Sequence, residues 1–390
     1  MRRSSSGSDR KKNIAAVILG ISHYNTLGMA RSLGEADIPI YLVLKTTKRE
    51  YVEYSRYIKE SFHAESTDEI DFIIDKISRK YEKCILFPVS DKMAIYCDEA
   101  YDGKWRNVVI PGMKGCIGKY MEKAYSKEKA FEAGMHIPYG KIIFLEKENI
   151  YWDKYPCIIK PSKSISGQKC DIAKAVDADE FKKILERFKA DGYAEVLVEE
   201  YIGGSKAYMV ELMGERSDAG IKFGPIIRKI REYPLESGST AYAEFVESQP
   251  GLDLESVSRY IIDSHFKGLF DMEFKYADDY LYFIECNFRN GAPNNAITMY
   301  GVNLPVCWIE GMLSESMVVK RHKRFTHFMV EQTDCLNMIK CNTGKTEWFR
   351  QYFNSEKIFW KYSDPVPCIV YYIDMIKTAL RRIRGFHLDA

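Results

Sequence analysis

The stretch from Phe270 to Gly291 constrains the fold most, because it has the pattern of two β-strands joined by a tight turn. Aromatic and β-branched residues favour strands, and the turn at residues 277–279 contains two Asp residues that tolerate turn geometry. Side chains alternate across a strand, so the pattern predicts one apolar and one polar face. The predicted apolar face consists of Phe270, Met272, Phe274, Tyr276, Tyr280, Tyr282, Ile284, Cys286 and Phe288. A three-residue turn places Asp271 directly opposite Glu285 on the polar face.

This polar face has the groups that a divalent cation requires. Two carboxylates facing each other, Asp271 and Glu285, repel one another, and a cation between them removes the repulsion. Carboxylates together with the amide oxygen of Asn287 are the ligands that magnesium accepts. Arg289 points the same way and is placed to stabilise negative charge on a transferred phosphoryl group or an acyl phosphate. An amphipathic hairpin with solvated charges is the alternative, but the E-x-N-x-R run behind an acidic strand favours a functional site.

The run Glu285-Cys286-Asn287-Phe288-Arg289, with Asp271 on the preceding strand, resembles the metal-binding signature of the ATP-grasp superfamily. The continuation NGAPNNAITMYGVNLP resembles the branch of carboxylate–amine ligases that includes bacterial D-aspartate ligase. The resemblance covers the chain from about residue 14 to about residue 325. It implies an α/β protein in which an ATP-grasp fold of two α+β subdomains follows a small Rossmann-like α/β domain. It also implies ATP and one or two Mg²⁺ ions as cofactors, with Asp271, Glu285 and Asn287 as the metal ligands.

The expected organisation has four parts. They are a disordered tail (1–13), a pre-ATP-grasp α/β domain (14–118), the ATP-grasp domain (119–325) and a C-terminal extension (326–390). The second part opens with a β-α-β pattern whose first turn, GISHYNTLG, lacks the GxGxxG spacing of a dinucleotide site. Ligands bind at the carboxyl ends of parallel strands, so Ser22, His23, Asn25 and Asp91 are candidates for substrate contact. Caps and turn-forming residues are the alternative explanation for each of them.

Two lysines are expected to bind the phosphates of the nucleotide. Lys160 ends the apolar strand that begins near Tyr155, a costly position unless the lysine meets an anion. The small residues that follow, including Ser166 and Gly167, allow backbone N–H groups to approach phosphate oxygens. By the resemblance, Ser166 and Gly167 belong to a flexible phosphate lid, and Lys123, in a helix expected from Lys119 to Gly134, reaches the α-phosphate.

The resemblance also assigns the adenine site to the end of the strand that begins at Val196. Glu199 would accept a hydrogen bond from the adenine amino group, and the backbone at Tyr201 and Ile202 would contact the ring edge; the ribose contact stays open. Downstream, a basic strand is expected to place Lys229 and Arg231 on one face, with Arg228 on the other. One of these cations is expected to meet the γ-phosphate or acidic groups of the acceptor, and a solvated basic strand is the alternative.

Composition excludes several other classes. A formal net charge of +2 is too small to indicate nucleic-acid binding. The ten cysteines form no CxxC pair, which favours reduced thiols in the cytoplasm over a zinc site or a disulfide framework. The longest apolar run is too short to span a membrane. A helix from Ile369 to Ile383 is expected to dock on the protein, with contact to an anionic membrane or a partner as the alternative. Homo-oligomerisation stays open.

Together with these patterns, the resemblance implies an ATP-dependent carboxylate–amine ligase that joins small molecules. ATP phosphorylates a carboxylate, an amine attacks the acyl phosphate, and an amide or peptide-like bond forms. Arg289, Lys160 and Arg231 are the expected catalytic residues, since catalysis here is positioning and charge neutralisation. By the resemblance, the setting is the biosynthesis of cell-wall or surface polymers. A carboxylase or carbamoyl-phosphate type enzyme and a non-catalytic nucleotide-binding scaffold are the alternatives.

Overall fold

The computed structural model describes residues 13–100, 103–147, 150–162, 172–234, 238–314, 316–317, 325–340 and 344–386. They form three β-sheets, with helices packed around them. Among the described residues, no helix is both long and apolar enough to cross a membrane.

The first sheet is parallel and has the strand order β3-β2-β1-β4-β5. Its strands are β1 (Ile14–Gly20), β2 (Ile40–Leu44), β3 (Ile58–His63), β4 (Lys83–Pro88) and β5 (Val108–Val109). The helices of this part are α1 (Tyr24–Gly34), α2 (Thr67–Ser78) and α3 (Asp91–Glu99), with a 3₁₀ turn at Tyr51–Tyr54. Every residue of β1 and β2 is buried, as expected where helices cover both faces of a parallel sheet. The predicted β-α-β opening is confirmed.

The second sheet is small and antiparallel, with the order β6-β9-β7-β8. Its strands are β6 (Gly140–Phe144), β7 (Cys157–Pro161), β8 (Ala173–Ala175) and β9 (Glu195–Glu200). The helices around it are α4 (Ile117–Tyr120), α5 (Lys123–Glu132) and α6 (Ala178–Ala190). The single helix predicted from Lys119 to Gly134 is wrong, because Glu122 has an extended backbone that separates α4 from α5. Lys123 therefore opens α5, and its backbone N–H donates to the carbonyl of Ser162, 3.0 Å away.

The third sheet is the largest and has the order β15-β14-β10-β12-β13-β16-β17, with β11 paired to β10. Its strands are β10 (Tyr208–Ser217), β11 (Gly220–Phe223), β12 (Ile226–Tyr233), β13 (Ser239–Val246), β14 (Gly268–Ala277), β15 (Tyr280–Asn287), β16 (His327–Met329) and β17 (Glu356–Lys357). The helices α7 (Leu254–Asp263), α8 (Asn294–Tyr300) and α9 (Leu304–Leu313) complete this part. One face of β14 buries Phe270 and Met272 against Val257 and Tyr260 of α7. The opposite face carries the polar residues of the candidate site.

The C-terminal part joins the rest of the fold at two places. It supplies β16 and β17 to the third sheet, and it adds α10 (Glu331–Lys340), α11 (Lys345–Asn354) and α12 (Val366–Phe386). Arg31 of α1, only 1% exposed, donates from Nε to Oδ2 of Asp364 at 3.0 Å and from a terminal nitrogen to the carbonyl of Phe359 at 2.8 Å. Ser55 also donates to Asp364, at 2.8 Å. A buried charged network thus fastens the C-terminal part to the N-terminal sheet.

The β14–β15 hairpin exists as predicted, but its register differs. Ala277 pairs with Tyr280, so the turn has two residues, and both Asp278 and Asp279 adopt positive φ angles (49° and 67°). A β-bulge then follows, because Phe274 pairs with Phe283 whereas Glu273 pairs with Glu285. The predicted pairing of Asp271 with Glu285 is therefore wrong.

The short turn and the bulge also correct the predicted faces. Leu281 and Phe283, expected on the polar face, are buried in the apolar core, whereas Tyr280, expected in the core, is exposed. The extra residue at the bulge, Ile284, shifts the alternation of side chains between the two faces of β15 by one residue, which restores the predicted alternation. Cys286 and Phe288 consequently lie on the apolar face as predicted, and the intervening residues keep the polar face.

Candidate active site

The polar face of the hairpin brings two pairs of candidate ligands together. Glu273 on β14 lies opposite Glu285 on β15, and Asp271 lies opposite Asn287. Directly opposed residues of antiparallel strands point to the same side of the sheet. The three predicted metal ligands therefore share one face, and Glu273 is the residue that actually opposes Glu285.

A third strand adds another carboxylate to this face. Glu211 of β10 pairs with Glu273, and carboxylate oxygens of Glu211, Asp271 and Glu273 lie within 4.8 Å of one another. Glu211 is 2% exposed and Asp271 4%. The sequence-based predictions did not include Glu211; the available signal was an acid between apolar residues in the first half of β10. We call these three residues the acid cluster.

Lys229 of β12 partly neutralises the acid cluster. Its Nζ lies 3.2 Å from Oε2 of Glu273 and 3.8 Å from Oε2 of Glu211. Burial opposes the charged form, but Glu273 and Glu211 raise the pKa of Lys229 well above its ordinary value. Burial, together with repulsion from Glu211 and Glu273, raises the pKa of Asp271 well above its ordinary value. One buried lysine is thus insufficient for three carboxylates, and the cluster favours an additional cation.

An orphaned oxygen supports the same conclusion. Oδ1 of Asp271 is buried and has no hydrogen-bond partner among the described residues, a costly state that a bound cation relieves. Gly291 lies beside this carboxylate, and a Cβ atom there would be 2.8 Å from Oδ2 of Asp271. The glycine therefore keeps the space next to Asp271 open. Carboxylates with a nearby amide form a donor set that fits Mg²⁺.

Arg289 lies at the edge of this face and is held on several sides. Its Nε is 2.6 Å from Oδ1 of Asp91, the first residue of α3, and a terminal nitrogen donates to Oδ1 of Asn287 at 3.1 Å. Burial disfavours its charge, but Asp91 and Asp271 raise the pKa of Arg289 above its ordinary value. A small cleft beside it is lined by residues of α3, α5 and β15, among them Asp91, Lys123, Glu285 and Asn287. The structure thus brings a predicted phosphate lysine and predicted metal ligands to one cleft.

Three lysines and one carboxylate form the basic side of the site. Nζ of Lys160 lies 2.5 Å from Oε2 of Glu199, and Lys127 binds the other oxygen of the same carboxylate. Burial raises the pKa of Glu199, but Lys127 and Lys160 outweigh it and lower this pKa to about 2. Burial, and then the charge of Lys160, lowers the pKa of Lys123 to about 8.

Lys127 is a site residue that sequence analysis missed. It is buried, and burial lowers its pKa to about 7 although Glu199 opposes this shift. Its signal in the sequence was the four-residue spacing from Lys123, which places both lysines on one face of α5. Since both oxygens of Glu199 already bind lysines, the structure shows Glu199 as the anchor of two cations.

Of the other residues predicted to contact the nucleotide, the structure describes the two assigned to adenine but not the two assigned to the phosphate lid. The backbone N–H of Tyr201 donates to the carbonyl of Pro156 at 3.0 Å, and Nζ of Lys174 lies 3.6 Å from the centre of the Tyr201 ring. Ile202 follows at the end of β9 and is half-buried. Ser166 and Gly167 lie outside the described residues.

The structure does not bring Arg231 to the acid cluster. Its guanidinium donates to both oxygens of Asp334 at 2.9 and 2.6 Å and lies 4.5 Å from the centre of the Tyr242 ring. A bulge between Lys229 and Arg231 places these side chains on opposite faces of β12, so the prediction that they share one face is wrong. Lys229 is instead the cation of this strand that contacts the acid cluster.

The candidates from the first domain divide into two groups. Asn25 donates to the carbonyls of Val89 (3.3 Å) and Asn290 (3.0 Å), and Asp91 binds Arg289, so both contact the segment after β15. His23 instead caps α1, with Nδ1 accepting from the N–H of Asn25 at 3.2 Å. Ser22 donates to Glu50.

A domain with a parallel sheet, a small antiparallel sheet and a larger, mainly antiparallel sheet with an acidic hairpin form the ATP-grasp fold, as the resemblance predicted. Solved structures with this fold match most of the chain. An L-amino acid ligase from Bacillus licheniformis is 11% identical, with a TM-score of 0.59, over 78% of this chain and 76% of that one. N5-carboxyaminoimidazole synthetase from Staphylococcus aureus is 16% identical, with a TM-score of 0.59, over 85% and 87%.

A third similar structure is the biotin carboxylase domain of Hydrogenobacter thermophilus 2-oxoglutarate carboxylase, in complex with MgADP, ADP and bicarbonate. It is 17% identical, with a TM-score of 0.57, over 80% of this chain and 73% of that one. No protein-family model matches the chain, and no curated protein matches its sequence. At these identities the similarity establishes the fold, and the activity has to be argued from the residues of the site.

Proposed function

We propose that this protein is an ATP-dependent carboxylate–amine ligase that works through an acyl phosphate. The observation that carries the proposal is the convergence of two oppositely charged groups on one cleft. Lys123, on the basic side, lines the cleft, and Lys160 is near enough to lower its pKa; Glu285 and Asn287 line the acidic side, and the acid cluster shares their face of the sheet. This division matches what a nucleotide and its metal ions require, since phosphates need cations and Mg²⁺ needs oxygen ligands.

The residues present would hold Mg²⁺ between Glu273, Glu285 and Asn287, with Asp271 as a further oxygen donor. When bound, the metal supplies positive charge to the phosphate oxygens. Asp271 was predicted as a ligand from a register that the structure corrects, and its orphaned Oδ1 now supports that role on different grounds. We propose that one or two Mg²⁺ ions bind here.

The basic side would bind the phosphates of ATP. Lys123 opens α5, and the positive end of the helix dipole there also favours an anion. Lys160 is fixed by Glu199, so its ammonium group is preorganised before the nucleotide arrives. We assign Tyr201 and Ile202 to the adenine ring, and we assign Ser166 and Gly167 to the phosphate lid.

The chemical step begins when a carboxylate oxygen of the first substrate attacks the γ-phosphorus and ADP leaves. The amine nitrogen of the second substrate then attacks the acyl carbon, phosphate departs with the electron pair of the C–O bond, and the nitrogen loses a proton. Arg289 is placed to bind the developing negative charge, and Asn287 and Asp91 hold its guanidinium in position. Lys229 takes the catalytic place expected for Arg231. The proposed setting is the cytoplasm, in the synthesis of cell-wall or surface polymers.

A carboxylase is the second candidate, because a structure with the same fold contains bicarbonate. The distinction is measurable: a carboxylase releases ADP only with bicarbonate present, whereas a ligase requires a carboxylate and an amine. The stretch after Arg289, which resembles carboxylate–amine ligases, favours the ligase.

The test measures ADP release from MgATP with panels of carboxylates and amines, with and without bicarbonate. Glu285→Gln should lower kcat by about 100-fold or more while nucleotide binding persists, because it removes a charge that is needed only to hold the metal. Glu255→Gln on α7 is the matched control, since that side chain is 82% exposed and away from the cleft. A protein that binds no nucleotide, or a Glu285→Gln variant with full activity, would refute the proposal.

A further inference from the structure

The helix α12 has an apolar stripe that the described residues leave about half exposed. Val366, Ile369, Ile373, Ile376 and Leu380 recur at alternating intervals of three and four residues, which places them on one side of the helix. Each of these side chains is 45–54% exposed. Such a periodic row differs from scattered exposed apolar residues, which are normal on protein surfaces.

The opposite side of α12 attaches it to the protein. Cys368 is fully buried, and Tyr371 and Tyr372 pack against Phe359 of the core. After Tyr372 every described side chain as far as Arg381 is exposed. A helix segment of this length is marginally stable in water without packing. The stripe therefore needs an external surface against which to pack.

The charges beside the stripe identify that surface. At about 100° per residue, Lys377 and Arg381 fall along one flank of the stripe. The helix sequence holds four basic residues and one acid, Asp374, which already pairs with Lys377 at 3.5 Å. Asp374 is the one acid on this flank, so the flank keeps an excess of positive charge, and pairing with α12 of a second copy would bring two such basic flanks together.

We propose that α12 lies flat on an anionic lipid surface, with the stripe inserted at the level of the headgroups and Lys377 and Arg381 against the lipid phosphates. A row of branched apolar residues flanked by cations is the pattern of interfacial helices. The N-terminal anchorage through Cys368, Tyr371 and Tyr372 holds the helix to the core, so binding brings the whole protein to the surface. This inference is independent of the proposed ligase activity.

The test is flotation of the purified full chain with vesicles of phosphatidylcholine alone or mixed with phosphatidylglycerol. The protein should float with the anionic vesicles, and binding should weaken as salt rises. Replacing Lys377 and Arg381 with Gln should weaken it by about fivefold for each charge removed. Ile373→Asp combined with Ile376→Asp should abolish it.

Phe72→Asp is the matched control for the apolar substitution, because Phe72 on α2 is 70% exposed but isolated from such a row. This variant should bind vesicles as the unaltered chain does, and circular dichroism should show every variant folded. Absence of binding, or equal binding to neutral vesicles at all salt concentrations, would overturn the proposal. A dimer seen by sedimentation that Ile376→Asp dissociates would also overturn it, by identifying a second copy as the occupant.

Discussion

Nucleotide affinity should depend on pH through Lys123. In the free protein, burial and the charge of Lys160 lower the pKa of this lysine to about 8. Phosphate oxygens favour the charged form, so bound nucleotide should return the pKa toward its ordinary value. A lysine with a lowered pKa lacks its charge above pH 8, and binding must then restore the proton. Affinity should therefore be highest below about pH 8 and fall as the pH rises.

The size of the effect follows from this pKa. A lysine with a pKa of about 8 is roughly nine-tenths protonated at about pH 7 and roughly one-tenth protonated at about pH 9. The affinity for ADP should therefore decrease by about tenfold over this interval, which corresponds to about 1.4 kcal/mol. At about pH 8, binding should take up roughly half a proton.

Isothermal titration calorimetry measures both quantities, since proton uptake makes the heat depend on the ionisation enthalpy of the buffer. Lys123→Arg is the matched variant, because arginine stays charged throughout this range. It should retain affinity at about pH 7 and lose the tenfold dependence. If Lys123→Arg keeps the full dependence, another group titrates and the assignment of Lys123 to the phosphates is refuted.

Two further predictions concern stability. Asp364→Ala should lower the free energy of unfolding by about 3–5 kcal/mol in urea titrations, because it leaves the buried guanidinium of Arg31 without its counter-ion. Asp374→Ala, at an exposed position of α12, should change it by less than about 0.5 kcal/mol, and equal effects would contradict the buried network. Burial raises the pKa of Glu215 to about 7, so ionisation of this fully buried carboxyl should cost stability as the pH rises from about 4.5 through 7. Glu215→Gln should therefore be more stable than the unaltered chain at about pH 8, by up to about 3 kcal/mol, with little difference at about pH 4; a gain that is independent of pH would count against this explanation.

The parts of the fold that the sequence predicted well are those whose own pattern determines them. The runs that became β1 and β2 are apolar throughout, and the alternation near Phe270 could form only a strand with two different faces. β16 and β17 have three and two residues, too few for any periodicity, and they exist because β13 offers a free edge. Short strands that depend on a neighbour leave little trace in sequence.

The site residues show the same division. Glu285, Asn287 and Arg289 were predicted because their spacing matches a strand; Glu285 and Asn287 do share one face of β15, and Arg289, just past its end, contacts Asn287. Glu211 and Lys127 were missed because their importance arises from burial beside distant charges, which a local pattern does not contain. Arg231 was placed on the wrong face because strand alternation fails across a bulge.

The bulge at Ile284 has a consequence for comparing the sequences of such proteins. The two-residue turn displaces the alternation of β15 by one position, and the bulge displaces it back, so the two irregularities cancel before Glu285 is reached. A homologue that lost one residue between Tyr280 and Ile284 would still spell E-x-N-x-R, yet its acid and amide would point into the hydrophobic interior. The presence of the E-x-N-x-R motif alone is therefore insufficient to distinguish an active enzyme from an inactive homologue. The number of residues between the turn and the motif has to be compared as well.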